Sequence, residues 1–93
     1  AEEGRRWEEG RLVQEVRLPY TTLILGGKIR ITTPAGKRVE VEVPEGTRIG
    51  DRRRLKGHGH SEGPLDIEFT LSEPEKLTKS QRDSLEKLKE SGL

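Results

Sequence analysis

Apolar side chains fall mostly at every second position along this chain, and where that period holds it predicts strands. In LDIEFTL, Leu65, Ile67, Phe69 and Leu71 alternate with Asp66, Glu68 and Thr70 without an error, so the first set is expected inward and the second in water. In KRVEVEV, Val39, Val41 and Val43 alternate with Arg38, Glu40 and Glu42, and Ile29 and Ile31 alternate in KIRIT. The TPAG segment between those two runs places glycine two residues after proline, a turn composition, and the three pieces predict a β-hairpin. Upstream, Leu12, Val16 and Leu18 share one parity in LVQEVRL, with Val13 on the other face, and Pro19 ends the run.

Elsewhere the period changes. Leu23, Ile24 and Leu25 are consecutive and are followed by Gly26-Gly27, which predicts a short helical turn or tight connection over the core. Pro44-Glu45-Gly46 and Ile49-Gly50 mark turns, RRRL a short strand, and a Gly/His/Ser loop leads into the last strand. Thr78-Lys79-Ser80-Gln81 has capping-box form. The helix it opens carries opposite charges four apart at Lys79/Asp83, Arg82/Glu86 and Asp83/Lys87, each pair worth roughly 0.3 kcal/mol. Its apolar stripe is narrow, Leu85 and Leu88 with Leu77 just before the cap, so it packs lightly or its leucines await a partner chain. Gly92 is a C-terminal stop. Residues 1–10, polar except for Trp7, are expected to be a flexible lead-in arm, residues 11–74 a β-rich domain, and residues 75–93 a C-terminal helical segment.

The fold class that follows is mostly β: a small two-layer, sandwich-like domain with a short helical turn and a C-terminal α-helix. With 93 residues, 28% of them hydrophobic and only three aromatic, one thin core is expected. There is no cysteine, which removes disulfides and thiolate metal sites. No apolar run is long enough to cross a bilayer, and the N-terminus lacks the order of a secretory signal; a soluble, cytoplasmic chain without membrane partners is expected. A net charge of +1 means that attraction to polyanions would have to be local. The absence of methionine even at position 1 fits a piece of a longer protein or removal of an initiator.

The local candidate is VPEGTRIGDRRRLKGHGH, where Arg48, Arg52, Arg53, Arg54 and Lys56 stand against a single acid, Asp51. Five phosphate contacts would give a log–log salt slope of roughly −4. A strand, however, sends Arg53 to the face opposite Arg52 and Arg54, and no aromatic is interleaved to stack on bases. Nucleic-acid binding through Arg48, Arg52, Arg54 and Lys56 is therefore the secondary reading. His58 and His60, with Glu62 or Asp66 as a third ligand, fall short of the spaced sets that metal sites use. Gly26-Gly27-Lys28 lacks the long glycine loop and helix start of a phosphate loop. Nothing local arranges Ser61, Ser72, Ser80 or Ser84 with a histidine into a nucleophile–base set, so no catalysis and no cofactor are expected. What remains is apolar surface and strand edge: Leu23, Ile24, Leu25, Ile29 and Ile31 are, as a group, the candidate surface for an extended peptide.

Taken in order, LGGKIRI, TPAGK, VPEGTRIG, RLKGHG and the P-x-K-L-T-x-x-Q segment at 74–81 closely resemble the C-terminal half of DnaJ-type co-chaperones, specifically the second of their two client-binding domains. The resemblance spans roughly residues 10 to 90. It makes the opening of the basic stretch a turn, and Arg54, Leu55, Gly57 and Gly59 a short strand running into a glycine loop. Arg52 and Arg53 depart from the family pattern, which has apolar or threonine-like residues there; His58 stands where lysine is common, and Gly63-Pro64-Leu65-Asp66 replaces Gly-Asp-Leu.

The resemblance implies a non-catalytic module that holds unfolded client proteins. It also implies a homodimer through a C-terminal helix, which would set Leu85, Leu88 and Leu93 against a second copy. The His-Pro-Asp triplet, the cysteine-rich zinc module and a first client-binding domain are all missing from this chain. A DnaK-type chaperone is accordingly expected to be met by parts of the parent protein that this chain lacks.

Overall fold

The structure, a computed structural model, describes residues 4–59 and 63–93. Six strands and two helices occur among these residues: β1 (Arg5–Glu8), β2 (Arg11–Leu18), α1 (Tyr20–Leu25), β3 (Gly27–Thr32), β4 (Arg38–Val43), β5 (Arg52–Leu55), β6 (Leu65–Leu71) and α2 (Lys79–Glu90). Strands β1-β2-β6-β5 form one sheet and β3-β4 a second. This is the β-rich, two-sheet domain with a C-terminal helix that the alternation predicted. No helix among the described residues is long and apolar enough to cross a membrane.

The inward parity of each long strand builds the core. Leu12, Val16 and Leu18 of β2 and Leu65, Ile67 and Phe69 of β6 cluster with Ile31 of β3, Val41 and Val43 of β4 and Leu23 of α1. Strands β2 and β6 run parallel at the centre of their sheet, with Leu12 opposite Leu65 and Val16 opposite Phe69. The Thr33–Lys37 turn closes the β3–β4 hairpin through the Thr33 N–H, which donates to the Lys37 carbonyl at 2.8 Å.

Within the stretch expected to be a lead-in arm, Arg5–Glu8 form a strand, because β1 pairs antiparallel with β2, Glu8 opposite Arg11 and Arg5 opposite Gln14. The cause is a two-residue turn: Glu9 has φ 49° and Gly10 φ 79°, the pair of positive values that a twisted hairpin of this length needs. Gly10 adopts such a φ without steric cost.

Helix α1 is short and ends at Gly26, whose φ of 77° and ψ of −173° are open essentially to glycine alone. A Cβ there would lie 2.7 Å from the Val43 carbonyl oxygen and 2.9 Å from the Glu45 nitrogen. Gly26 thus lets α1 close onto the end of β4, where the Gly46 N–H donates to the Ile24 carbonyl at 3.0 Å. Helix α2 opens with the predicted capping box: Thr78 Oγ1 accepts from the Gln81 N–H at 3.1 Å, and Gln81 Oε1 from the Thr78 N–H at 2.9 Å. None of its twelve residues is buried.

Candidate functional site

Two surfaces concentrate the residues that the sequence singled out. The first is an open groove of about 690 Å³ between α1 and α2, floored by Leu71, Ser72 and Pro74. Helix α1 contributes Tyr20, Ile24 and Leu25, and α2 contributes Leu85 and Leu88, with Leu77 before it and Leu93 after it. Tyr20 and Ile24 are four apart and Leu85 and Leu88 three apart, so each helix turns one apolar stripe to the groove. Leu25 is 71% exposed and Leu93 68%, large apolar side chains left in water. Such a concave apolar surface can bind by excluding water, with little polar selectivity.

The groove brings together residues that the sequence reading divided between two roles. The sequence points Ile24 and Leu25 to client binding and Leu85, Leu88 and Leu93 to pairing of two copies, yet all five line it. Leu23 and Ile31 do not share this surface: they are 3% and 8% exposed and belong to the core. Their strand and helix parity turns them inward, so a ligand could reach them only by opening the domain. Ile29 is half-buried against the same core. Tyr20, Leu71 and Leu77, absent from the sequence-based candidates, line the groove too. The i, i+4 relation of Tyr20 to Ile24 was the available signal; the approach of α2 to α1 had none.

The second surface is the outer face of the four-stranded sheet. Central parallel strands are covered on both faces in most folds, and here the cover is ionic. Asp66, expected in water, is instead 6% exposed, and Val13 beside it is fully buried. The Arg54 guanidinium donates to Asp66 through Nε at 2.9 Å, and Arg11 stands 3.9 Å from the same carboxylate. Two residues along β6, Glu68 accepts from Arg6 of β1 at 3.0 Å, so that Arg6 reaches across β2 above Val13. Arg52 donates to both Glu68, at 2.9 Å, and Glu8, at 2.8 Å. Arg6 closes the ring on Glu8 at 3.0 Å.

The titration of these groups follows from the contacts. The hydrogen bond from Arg54 holds the Asp66 carboxyl below its ordinary range against the opposing effect of burial. Hydrogen bonds from Arg52 and then Arg6 do the same for Glu8. For Glu68 burial pushes upward most strongly, but the bonds from Arg6 and Arg52 together outweigh it. The guanidinium groups of Arg6, Arg52 and Arg54 are correspondingly raised by their carboxylates.

This pairing bears on the nucleic-acid reading. All four of its candidates are exposed, but Arg52 and Arg54 are paired with carboxylates of the fold, while Arg48 and Lys56 make no side-chain ion pair among the described residues. Arg53 donates to the Glu42 carbonyl at 2.8 Å. Of the residues considered for a metal, His60 and Glu62 lie outside the described residues, and Asp66 is held by arginine. Among the described residues no group of three acidic, histidine or cysteine side chains is placed to hold a metal ion.

Comparison with known proteins meets this architecture directly. A family model described as the DnaJ C terminal domain matches residues 2–85. A chaperone protein DnaJ from Fusobacterium nucleatum subsp. nucleatum is 37% identical over an 83-residue alignment that covers 83% of this chain and 21% of the relative. Chaperone proteins DnaJ from Sinorhizobium fredii and Rhizobium meliloti are each 41% identical over 81 residues, again 81% of this chain and 21% of the relative. The chain therefore spans about a fifth of the length of these relatives. Because the family match runs from before β1 into α2, it takes in both sheets and one wall of the groove, and this chain belongs to the DnaJ C-terminal domain family.

Proposed function

We propose that this chain is a non-catalytic client-holding module of a DnaJ-type chaperone, taking apolar side chains of unfolded polypeptide into the groove between α1 and α2. The observation that carries the reading is the groove itself, where Leu25, Leu85, Leu88 and Leu93 remain exposed around an apolar floor. A shallow site of this kind buries little area and must order a flexible ligand, so its affinity is weak and its selectivity broad. Contact with a DnaK-type chaperone belongs, on this proposal, to other parts of the parent protein.

The test is fluorescence anisotropy of the chain with a labelled extended apolar peptide at low and high salt. Binding is expected to survive salt and to weaken severalfold in the Leu25→Ser/Leu88→Ser variant; both side chains are exposed, so the fold is retained. Salt-sensitive binding, or binding indifferent to the variant, overturns the reading.

A second reading, pairing of two copies, is favoured by α2, a twelve-residue helix with no buried residue and two leucines three apart. It predicts a dimer in sedimentation equilibrium that Leu85→Asp/Leu88→Asp converts to monomer. A chain that is monomeric at every concentration excludes it and leaves the groove to clients.

A further inference from the structure

The groove leaves the basic stretch at 48–56 unexplained. Arg52 and Arg54 are consumed by Glu8, Glu68 and Asp66. Arg48, Arg53 and Lys56 are exposed, and none makes a side-chain ion pair among the described residues. All three lie on or beside β5, which forms one edge of the four-stranded sheet.

The ladder fixes which backbone groups that edge presents. The Phe69 N–H donates to the Asp51 carbonyl at 2.9 Å while the Phe69 carbonyl accepts from the Gly50 N–H at 2.8 Å, so the Asp51 carbonyl faces β6, and antiparallel alternation along the ladder then turns the polar groups of Arg53 and Leu55 towards β6. Those of Arg52 and Arg54 point away from the sheet. Arg53, on the opposite face from its two neighbours, commits one guanidinium nitrogen to the Glu42 carbonyl and retains further N–H donors. Beside it lies a hollow of about 290 Å³ walled by Pro44, Thr47, Asp51, Arg52, Arg53 and Phe69. Asp51, the acid in that wall, already accepts from the Arg48 backbone N–H at 2.9 Å.

We propose that the β5 edge binds an acidic polypeptide segment in extended form. Its main chain pairs with the outward groups of Arg52 and Arg54, its carboxylates meet Arg53, Lys56 and Arg48, and one uncharged side chain enters the hollow. Strand addition supplies the main-chain bonds and charge complementarity selects the sequence. A nucleic acid fits less well: it has no main-chain ladder to offer, and the one ring at the site, Phe69, is 2% exposed and closed to stacking. This surface and partner chemistry are separate from the apolar groove.

The test uses the 93-residue chain and fluorescence anisotropy with a labelled peptide, Glu-Val-Glu-Thr-Glu-Val-Glu. Two alternately N-methylated versions, a version with lysine for glutamate, and a labelled oligothymidylate serve as comparisons. The acidic peptide is expected to bind, more weakly as salt rises, and the lysine peptide not to bind. One N-methylation pattern, the one that removes the donors facing β5, should weaken binding about tenfold and the other little. Arg53→Ser/Lys56→Ser should weaken it about fivefold, whereas Leu25→Ser/Leu88→Ser should leave it unchanged. Should the arginine–lysine variant fail to fold, the N-methylated peptides on the unaltered chain still decide. Equal binding of both methylated peptides, binding of the lysine peptide, tighter binding of oligothymidylate, or no binding by the acidic peptide overturns the proposal; the last leaves the arginines as guards against edge-to-edge association.

Discussion

Replacing Gly26 by alanine tests how α1 is seated on the β3–β4 hairpin. Two costs combine at this position. A φ of 77° with a ψ of −173° lies where a residue with a Cβ is strained, by about 1–3 kcal/mol. The new methyl would also sit 2.7 Å from the Val43 oxygen and 2.9 Å from the Glu45 nitrogen. Both are backbone atoms in or next to a strand, so relief requires a shift of the chain, and overpacking of this kind costs about 1–3 kcal/mol. The sum is about 4 kcal/mol, a large fraction of the roughly 5–14 kcal/mol expected for a domain of this length.

Gly46 is the matched control. Its φ is also 77°, but a Cβ there meets nothing within 4 Å, so Gly46→Ala should lose only about 1 kcal/mol. Equilibrium urea unfolding of both variants, followed by far-ultraviolet circular dichroism, gives the comparison. If Gly26→Ala loses no more stability than Gly46→Ala, close approach of α1 to β4 is not what demands the glycine, and the reasoning fails.

Ile67→Ala, at a fully buried position of β6, should destabilise by about 3 kcal/mol in the same assay. Thr78→Ala removes the hydroxyl that caps α2; it should cost about 1 kcal/mol and, because no α2 residue is buried, appear mainly as lost ellipticity at 222 nm. The carboxyls of Glu8, Asp66 and Glu68 are all held below their ordinary values in the fold. An unfolded chain therefore binds protons first as pH falls: the stability these groups provide is complete above their ordinary values of 3.8 for Asp and 4.5 for Glu and is lost below them. Urea midpoints measured from pH 7 to pH 3 should fall across that window, and Asp66→Asn should flatten the fall; a midpoint independent of pH would contradict the ionic cover of the outer face.

Legibility followed the length of the local signal. The period-two runs of β4 and β6 and the capping box of α2 are complete within a few residues, and each element appears where the pattern placed it. Strand β1 was missed because its four residues carry one apolar side chain of size, Trp7, and its evidence lies in pairing with β2. The Glu9-Gly10 step was a turn signal of moderate strength that polarity alone obscured. Of the candidate binding residues, Ile24 and Leu25 reach the groove while Leu23 does not, since in a helix of six residues consecutive side chains point in different directions and sequence does not say which way the core lies.

By itself, then, the sequence determined the strand runs, the hairpin turn, the helix start and the family resemblance, because alternation, turn chemistry and capping act between near neighbours. Tertiary structure decided what the charges and leucines do. Arg6, Arg52 and Glu68 are distant along the chain, and only the order β1-β2-β6-β5 brings them together to cover Val13 and Asp66. Leu25 and Leu88 likewise meet one groove only because Gly26 seats α1 and the turn after β6 brings α2 alongside. Neither arrangement has a local signature, since the free energy of an ion pair or an apolar groove depends on distances across the fold rather than on spacing along it.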